Sequence, residues 1–139
     1  MEAGVTDKTA GARFWLQSIV ALLAGFAAVV VLSLLADAVF HLTGVFPANG
    51  QAMTEVGDNL LALSYRMVFG AFGSYVAARL APARPLLHAL ILGAVGAALA
   101  ILGVATTWNM NLGSHWYPIA LVVTALPMAW IGGLLGRKG

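Results

Sequence analysis

The chain has 139 residues, of which 61% are hydrophobic and only 9% charged, with a net charge of +2. A soluble domain carries about 25% charged residues, so this set cannot cover a water-exposed surface and the bilayer is its natural solvent. The basic residues occur singly or in pairs, without a run or an aromatic-interleaved stripe, which argues against nucleic acid as a partner; the absence of cysteine excludes disulfides, thiol chemistry and thiolate metal sites.

A helix needs about 20 apolar residues to cross the ~30 Å hydrocarbon core. Four segments meet that length: 14–40, 59–80, 85–107 and 116–135. The first, from Phe14 to Phe40, is far longer than the ~7–15 apolar residues of a signal peptide. It reads as a span that stays in the protein and that tilts or projects, because it exceeds the bilayer. The second is predicted to start after Asp58, whose carboxylate can cap free N–H groups at the positive end of the helix dipole. Pro82 stops that helix and Pro85 suits the first turn of the third. The linker between them, Ala81 to Arg84, is short enough to make an antiparallel hairpin. Ser114 is the expected cap of the fourth helix, and Pro127 predicts a kink inside it. The expected fold is therefore all-α: one domain over residues 1–139, an integral membrane four-helix bundle running up-down-up-down.

Direction follows from Lys and Arg, which concentrate on the cytoplasmic side of membrane proteins. Lys8 and Arg13 precede the first span, Arg79 and Arg84 flank the second turn, and Arg137 and Lys138 follow the fourth span. The connections 43–58 and 108–115 hold neither Lys nor Arg. Both termini are thus expected in the cytoplasm. Trp15, Trp108, Trp116 and Tyr117 fall where amphipathic rings mark the interfaces.

Burial does not drive helices together in lipid, so small residues that admit close backbone approach are the expected packing device. Each span carries such a stripe: Ser18, Ala21, Gly25 and Ala28; Ala62, Gly70, Gly73 and Ala77; Ala89, Gly93, Gly96, Ala100 and Gly103; Ala125, Ala129, Gly132 and Gly136. Packing within one chain is the plain reading; an interface between copies is the alternative.

Arg66 is the one basic residue out of place. It lies seven residues into the second span, ~10 Å below its start at 1.5 Å per residue. A central Arg costs about 2.5–3.5 kcal/mol on insertion scales. It shares a face with the small residues of its helix, so it points at other helices, and its side chain leans toward the helix N-terminus. Asp37, near the outer end of the first span, is the expected partner, with Ser33 and His41 one turn to either side. The candidate site is Asp37, His41 and Arg66. It reads either as a structural ion pair or as an outward-facing polar pocket for a proton, an anion or a lipid head group. No metal or other cofactor is expected: no two histidines stand at ligand spacing and no HExxH occurs. His88 reads as a packing residue near the cytoplasmic face, and Tyr65 and Tyr75 as ordinary span aromatics. No nucleophile elbow, P-loop or dinucleotide fingerprint is present, so no catalytic residues are expected.

Two stretches are distinctive. One is Tyr65-Arg66, then Gly73, Tyr75, Ala77-Ala78-Arg79-Leu80-Ala81-Pro82, Arg84-Pro85 and His88-Ala89-Leu90. The other is Trp116-Tyr117-Pro118, then Ala125-Leu126-Pro127, Trp130 and Gly132-Gly133. Together they resemble a group of small, uncharacterised bacterial inner-membrane proteins with four predicted transmembrane helices. The resemblance covers spans two to four and implies a bacterial plasma membrane, with no activity to carry over. Small multidrug exporters need a carboxylate deep in the first span, whereas Asp37 lies near its end. Membrane glutathione transferases carry a charged cytosolic segment that Ala81 to Arg84 does not match. The expectation is a non-enzymatic structural or accessory membrane subunit, or alternatively a small homo-oligomeric transporter or channel using Asp37 and Arg66. The partners implied are membrane lipids, and a second copy or another membrane protein.

Overall fold

The computed structural model describes residues 2–47, 55–110 and 115–137. Their regular structure is all α-helix, and the described residues contain no strand. The helices are α1 (Glu2–Leu42), α2 (Val56–Leu80), α3 (Pro85–Thr107) and α4 (Trp116–Gly136). All four are long and apolar enough to cross a membrane. The expected cap Ser114 and the charge of Lys138 lie outside the described residues.

Helix ends follow the local chemistry with two departures. Pro85 opens α3 and α2 stops at Leu80, just before Pro82, because proline tolerates a first turn and not an interior. Arg84 between them adopts a left-handed backbone, φ 50°. α1 is 41 residues long, about 61 Å against ~30 Å of hydrocarbon; no proline interrupts it before Leu42, so it continues well beyond the expected Phe14. α2 starts at Val56 with Glu55 at the cap position, not at Asp58. Asp58 instead sits in the first turn, where its charge still meets the helix dipole, and Asn59 donates from its side-chain amide to the Glu55 carbonyl at 2.9 Å. α4 runs unbroken through Pro127, which gives up the bond to the Val123 carbonyl.

The interior is built from small residues. Ala21, Ala62, Ala77, Ala78, Ala89 and Ala129 are each 3% exposed or less. Among the described residues, Phe46 and Leu92 are the larger apolar side chains that are buried. Close backbone approach therefore joins the helices, as expected where lipid competes equally for large side chains. Around the glycines this approach is tight. A Cβ on Gly25 would lie 2.5 Å from the Gly73 carbonyl oxygen, one on Gly133 would lie 2.7 Å from the Ala89 side chain, and one on Gly136 would lie 2.7 Å from the Tyr75 carbonyl oxygen.

The stripes divide, however. Gly70, Gly96 and Gly103 have open space where a Cβ would stand. Tight packing occupies the half of the bundle nearer the α2–α3 linker. The other half is looser. α2 packs broadly on α4 and on α1, and α3 on α4, while α1 meets α3 only slightly and makes no close contact with α4 among the described residues. The recorded α1–α3 contacts lie near the linker end. There the buried His88 ring bonds Ser18 Oγ at 2.9 Å and the Arg84 carbonyl at 3.0 Å. With Nδ1 donating to that carbonyl, Nε2 is the acceptor of the serine hydroxyl. His88 is thus a hydrogen-bonded clasp between α1 and α3, more than the packing residue expected.

Candidate functional site

The site lies in the loose half. Asp37 stands five residues before the end of α1, and Tyr65 and Arg66 are neighbours on α2. Adjacent helical residues point about 100° apart, so one carboxylate reaches both only by sitting between their directions. Asp37 does so. Its Oδ1 accepts from the Tyr65 hydroxyl and its Oδ2 from Arg66 Nη2. The side chains of Arg66 and Asp37 remain 33% and 23% exposed, so the pair is neither sealed nor at a free surface. Arg66 Nε is buried without a hydrogen-bond partner among the described residues. Tyr117, in the first turn of α4, is near enough to Arg66 to interact with it electrostatically.

An aromatic cluster adjoins the pair through Tyr65. The Phe40 and Tyr65 rings stack with centroids 5.6 Å apart, Phe46 lies 5.2 Å from Phe40, and Phe69 lies 5.7 Å from Tyr65. Phe46 reaches this position because the chain turns back at the end of α1. Thr43 N–H donates to the Val39 carbonyl and Phe46 N–H to the Phe40 carbonyl, both at 3.0 Å. Gly44, at φ +83°, provides the left-handed residue that such a helix ending needs. His41 belongs to this turn. Its Nδ1 bonds the Pro47 carbonyl at 2.7 Å and its ring meets the edge of Phe46.

Of the three residues singled out by sequence, Asp37 and Arg66 come together, and the recorded polar contact of His41 is to the Pro47 carbonyl instead. Tyr65 and Tyr117 are the residues that sequence reading passed over. A buried tyrosine hydroxyl needs a partner, and Tyr65 beside an intramembrane arginine carries that signal.

Below the pair is a cavity of about 410 Å³ to which all four helices contribute. Asp37, Arg66 and the buried Ser33 form its polar end, and Phe26, Leu92 and Met128 line its deeper, mostly apolar end together with the buried Ser74. Gly70 and Gly96, the glycines without packing neighbours, are in its wall. It ends where Gly73 closes on Gly25 and Val29. Among the described residues no three His, Asp or Glu side chains gather as a metal site. His115, distant in sequence from the pair, stacks on Trp108 at 3.7 Å and bonds its carbonyl.

Comparison of the chain with protein-family models, with curated proteins and with solved structures returns no match.

Proposed function

We propose that this chain is a non-enzymatic, multi-pass protein of the bacterial plasma membrane, an accessory subunit whose intramembrane cavity holds a ligand without conducting it. The bacterial setting rests on the residues that carry the resemblance. Both termini face the cytoplasm in this reading, as the placement of Lys and Arg indicates. The order of contacts supports an up-down-up-down bundle. Asp37 meets Tyr65 and Arg66 while Gly25 meets Gly73, so α1 and α2 run oppositely. Gly93 meets Ala129 while Gly133 meets Ala89, so α3 and α4 do too.

One observation carries the reading: the cavity reaches Asp37 and Arg66 at one end and stops blind at packed backbone. The alternative, a homo-oligomeric transporter or channel through the same pair, has the reach of the cavity in its favour. It needs a path past Gly70 and Gly73. Gly70 borders the cavity, whereas Gly73 is shut against α1 and Ala77 below it is fully buried.

The cysteine-free chain makes the test clean. In inside-out and right-side-out vesicles, Ala77→Cys and Ala78→Cys should resist a small water-soluble thiol reagent from both faces, while Phe14→Cys labels from the cytoplasmic face. Labelling of Ala77→Cys from both faces would establish a through path and replace this reading with transport.

A further inference from the structure

The cavity has a mouth, and the mouth opens sideways. α1 is held to α3 at Ser18 and His88, and Gly25 packs near Leu92. α1 and α3 meet only slightly, and beyond Gly25 the cavity lies between them, with Val30 and Leu34 on one side and Leu99 on the other. Those three side chains are 36–63% exposed. In a bilayer that mouth faces hydrocarbon. A water-borne solute would have to cross an apolar wall to reach the deeper space, whereas a lipid chain is already there.

The shape of the interior points the same way. Gly25, Gly73 and Gly93 would clash with a neighbour if given a Cβ, but Gly70 and Gly96 would not. The latter two therefore contribute width to the cavity and nothing to helix contact. An empty apolar space forfeits dispersion contacts along its whole lining, and an acyl chain restores them. At about 410 Å³, the space is the size of a small-ligand site, ~300–1,000 Å³, and not a groove running the length of a span for another helix.

The polar end matches an anion. Arg66 has five N–H donors, and the structure records one of them on Asp37. Both Asp37 oxygens are engaged, by Tyr65 and by Arg66. The carboxylate thus holds the guanidinium in place; Nε is buried, so the Nη N–H groups not on Asp37 are the ones left for a planar or tetrahedral anion, the recognition for which Arg is suited.

We infer that the cavity holds one anionic phospholipid, which enters between α1 and α3, sets its phosphate-bearing head group on Arg66 and lays an acyl chain past Gly70 and Gly96. This rests on the reading of the cavity as a blind ligand site. In the proposed orientation the lipid comes from the outer leaflet.

The test is native mass spectrometry of the full chain from nanodiscs of equal parts phosphatidylglycerol and phosphatidylcholine. The wild type should retain one phosphatidylglycerol per chain, about tenfold over phosphatidylcholine, because both carry the phosphate that Arg66 bonds but the choline ammonium cancels that charge and is repelled by the guanidinium. The double variant Asp37→Asn/Arg66→Gln, neutral at both positions, should lose that preference. Gly96→Leu, which fills open space and leaves the ion pair in place, should lower retention of both lipids about tenfold while the melting temperature does not fall. Equal retention of the two lipids, no retention, unchanged retention in Gly96→Leu, or a second copy or protein partner bound in place of lipid would each overturn the inference. So would complete displacement by excess inorganic phosphate, which would make the head-group chemistry sufficient without a chain. Loss of lipid with Ala77→Cys still protected from both faces would leave the blind cavity standing and remove only this ligand.

Discussion

Arg66 is tolerable in its helix because Asp37 is there. An unpaired intramembrane guanidinium is costly, and the carboxylate both neutralises it and, through Tyr65, is itself held. A fully buried pair broken on one side loses about 3–5 kcal/mol; with these side chains a quarter to a third exposed, Asp37→Asn alone should cost about 2 kcal/mol. The double variant Asp37→Asn/Arg66→Gln should recover at least half of that, because no charge is left stranded. Unfolding in mild detergent measures all three chains, and a double variant no more stable than the singles would show the pair uncoupled. Tyr65→Phe removes one donor to a carboxylate and should cost about 0.6 kcal/mol, the mean for such bonds in membrane bundles.

At the scale of helices, the small residues serve two purposes that spacing alone does not separate. Gly73 is pressed between Val29 and the Gly25 backbone, while Gly96 stands against open space. Gly73→Ala should therefore force α1 and α2 apart and cost about 1–3 kcal/mol, as overpacking does. Gly96→Ala should stabilise α3 by up to about 1 kcal/mol through helix propensity. Melting temperatures of the two variants should move in opposite directions; a fall in both would mean that Gly96 also packs. α1 is the least enclosed helix. α2 is its main support, and the recorded side-chain bond to α3 is the clasp of Ser18 and His88. That unequal support is what leaves the cavity between α1 and α3 open.

For the whole molecule, the distribution of Lys and Arg and the contact order describe one arrangement, with a closed half at the basic end and an open half at the other. A fluorescent reporter that matures only in the cytoplasm should light up when fused to either terminus, as the positive-inside rule requires for these charges. A dark C-terminal fusion beside a bright N-terminal one would mean an odd number of crossings. The large apolar side chains that α1 leaves exposed, Leu16, Leu23, Leu34 and Leu35 among them, then face lipid, which is an apolar solvent and exacts no penalty for them.

The sequence by itself determined the number of helices and most of their ends, because bilayer thickness sets length and proline sets boundaries: Pro82 and Pro85 fixed the hairpin to the residue. It also singled out Asp37 and Arg66, since charges in an apolar helix need a partner and these two lie at matching depth. It missed the start of α2 by three residues, where Asp58 offered a plausible cap and Glu55 holds the position. Only the tertiary structure decided what Gly70 and Gly96 are for. A glycine reads the same in sequence whether a neighbouring backbone or a cavity lies beside it, and that difference depends on how closely α1 packs on α3. The same is true of Tyr65 and His41. One donates to Asp37 and the other turns to the Pro47 carbonyl, because the chain folds back after α1 at Gly44, a choice made by packing of Phe46 and not by the spacing of the polar residues.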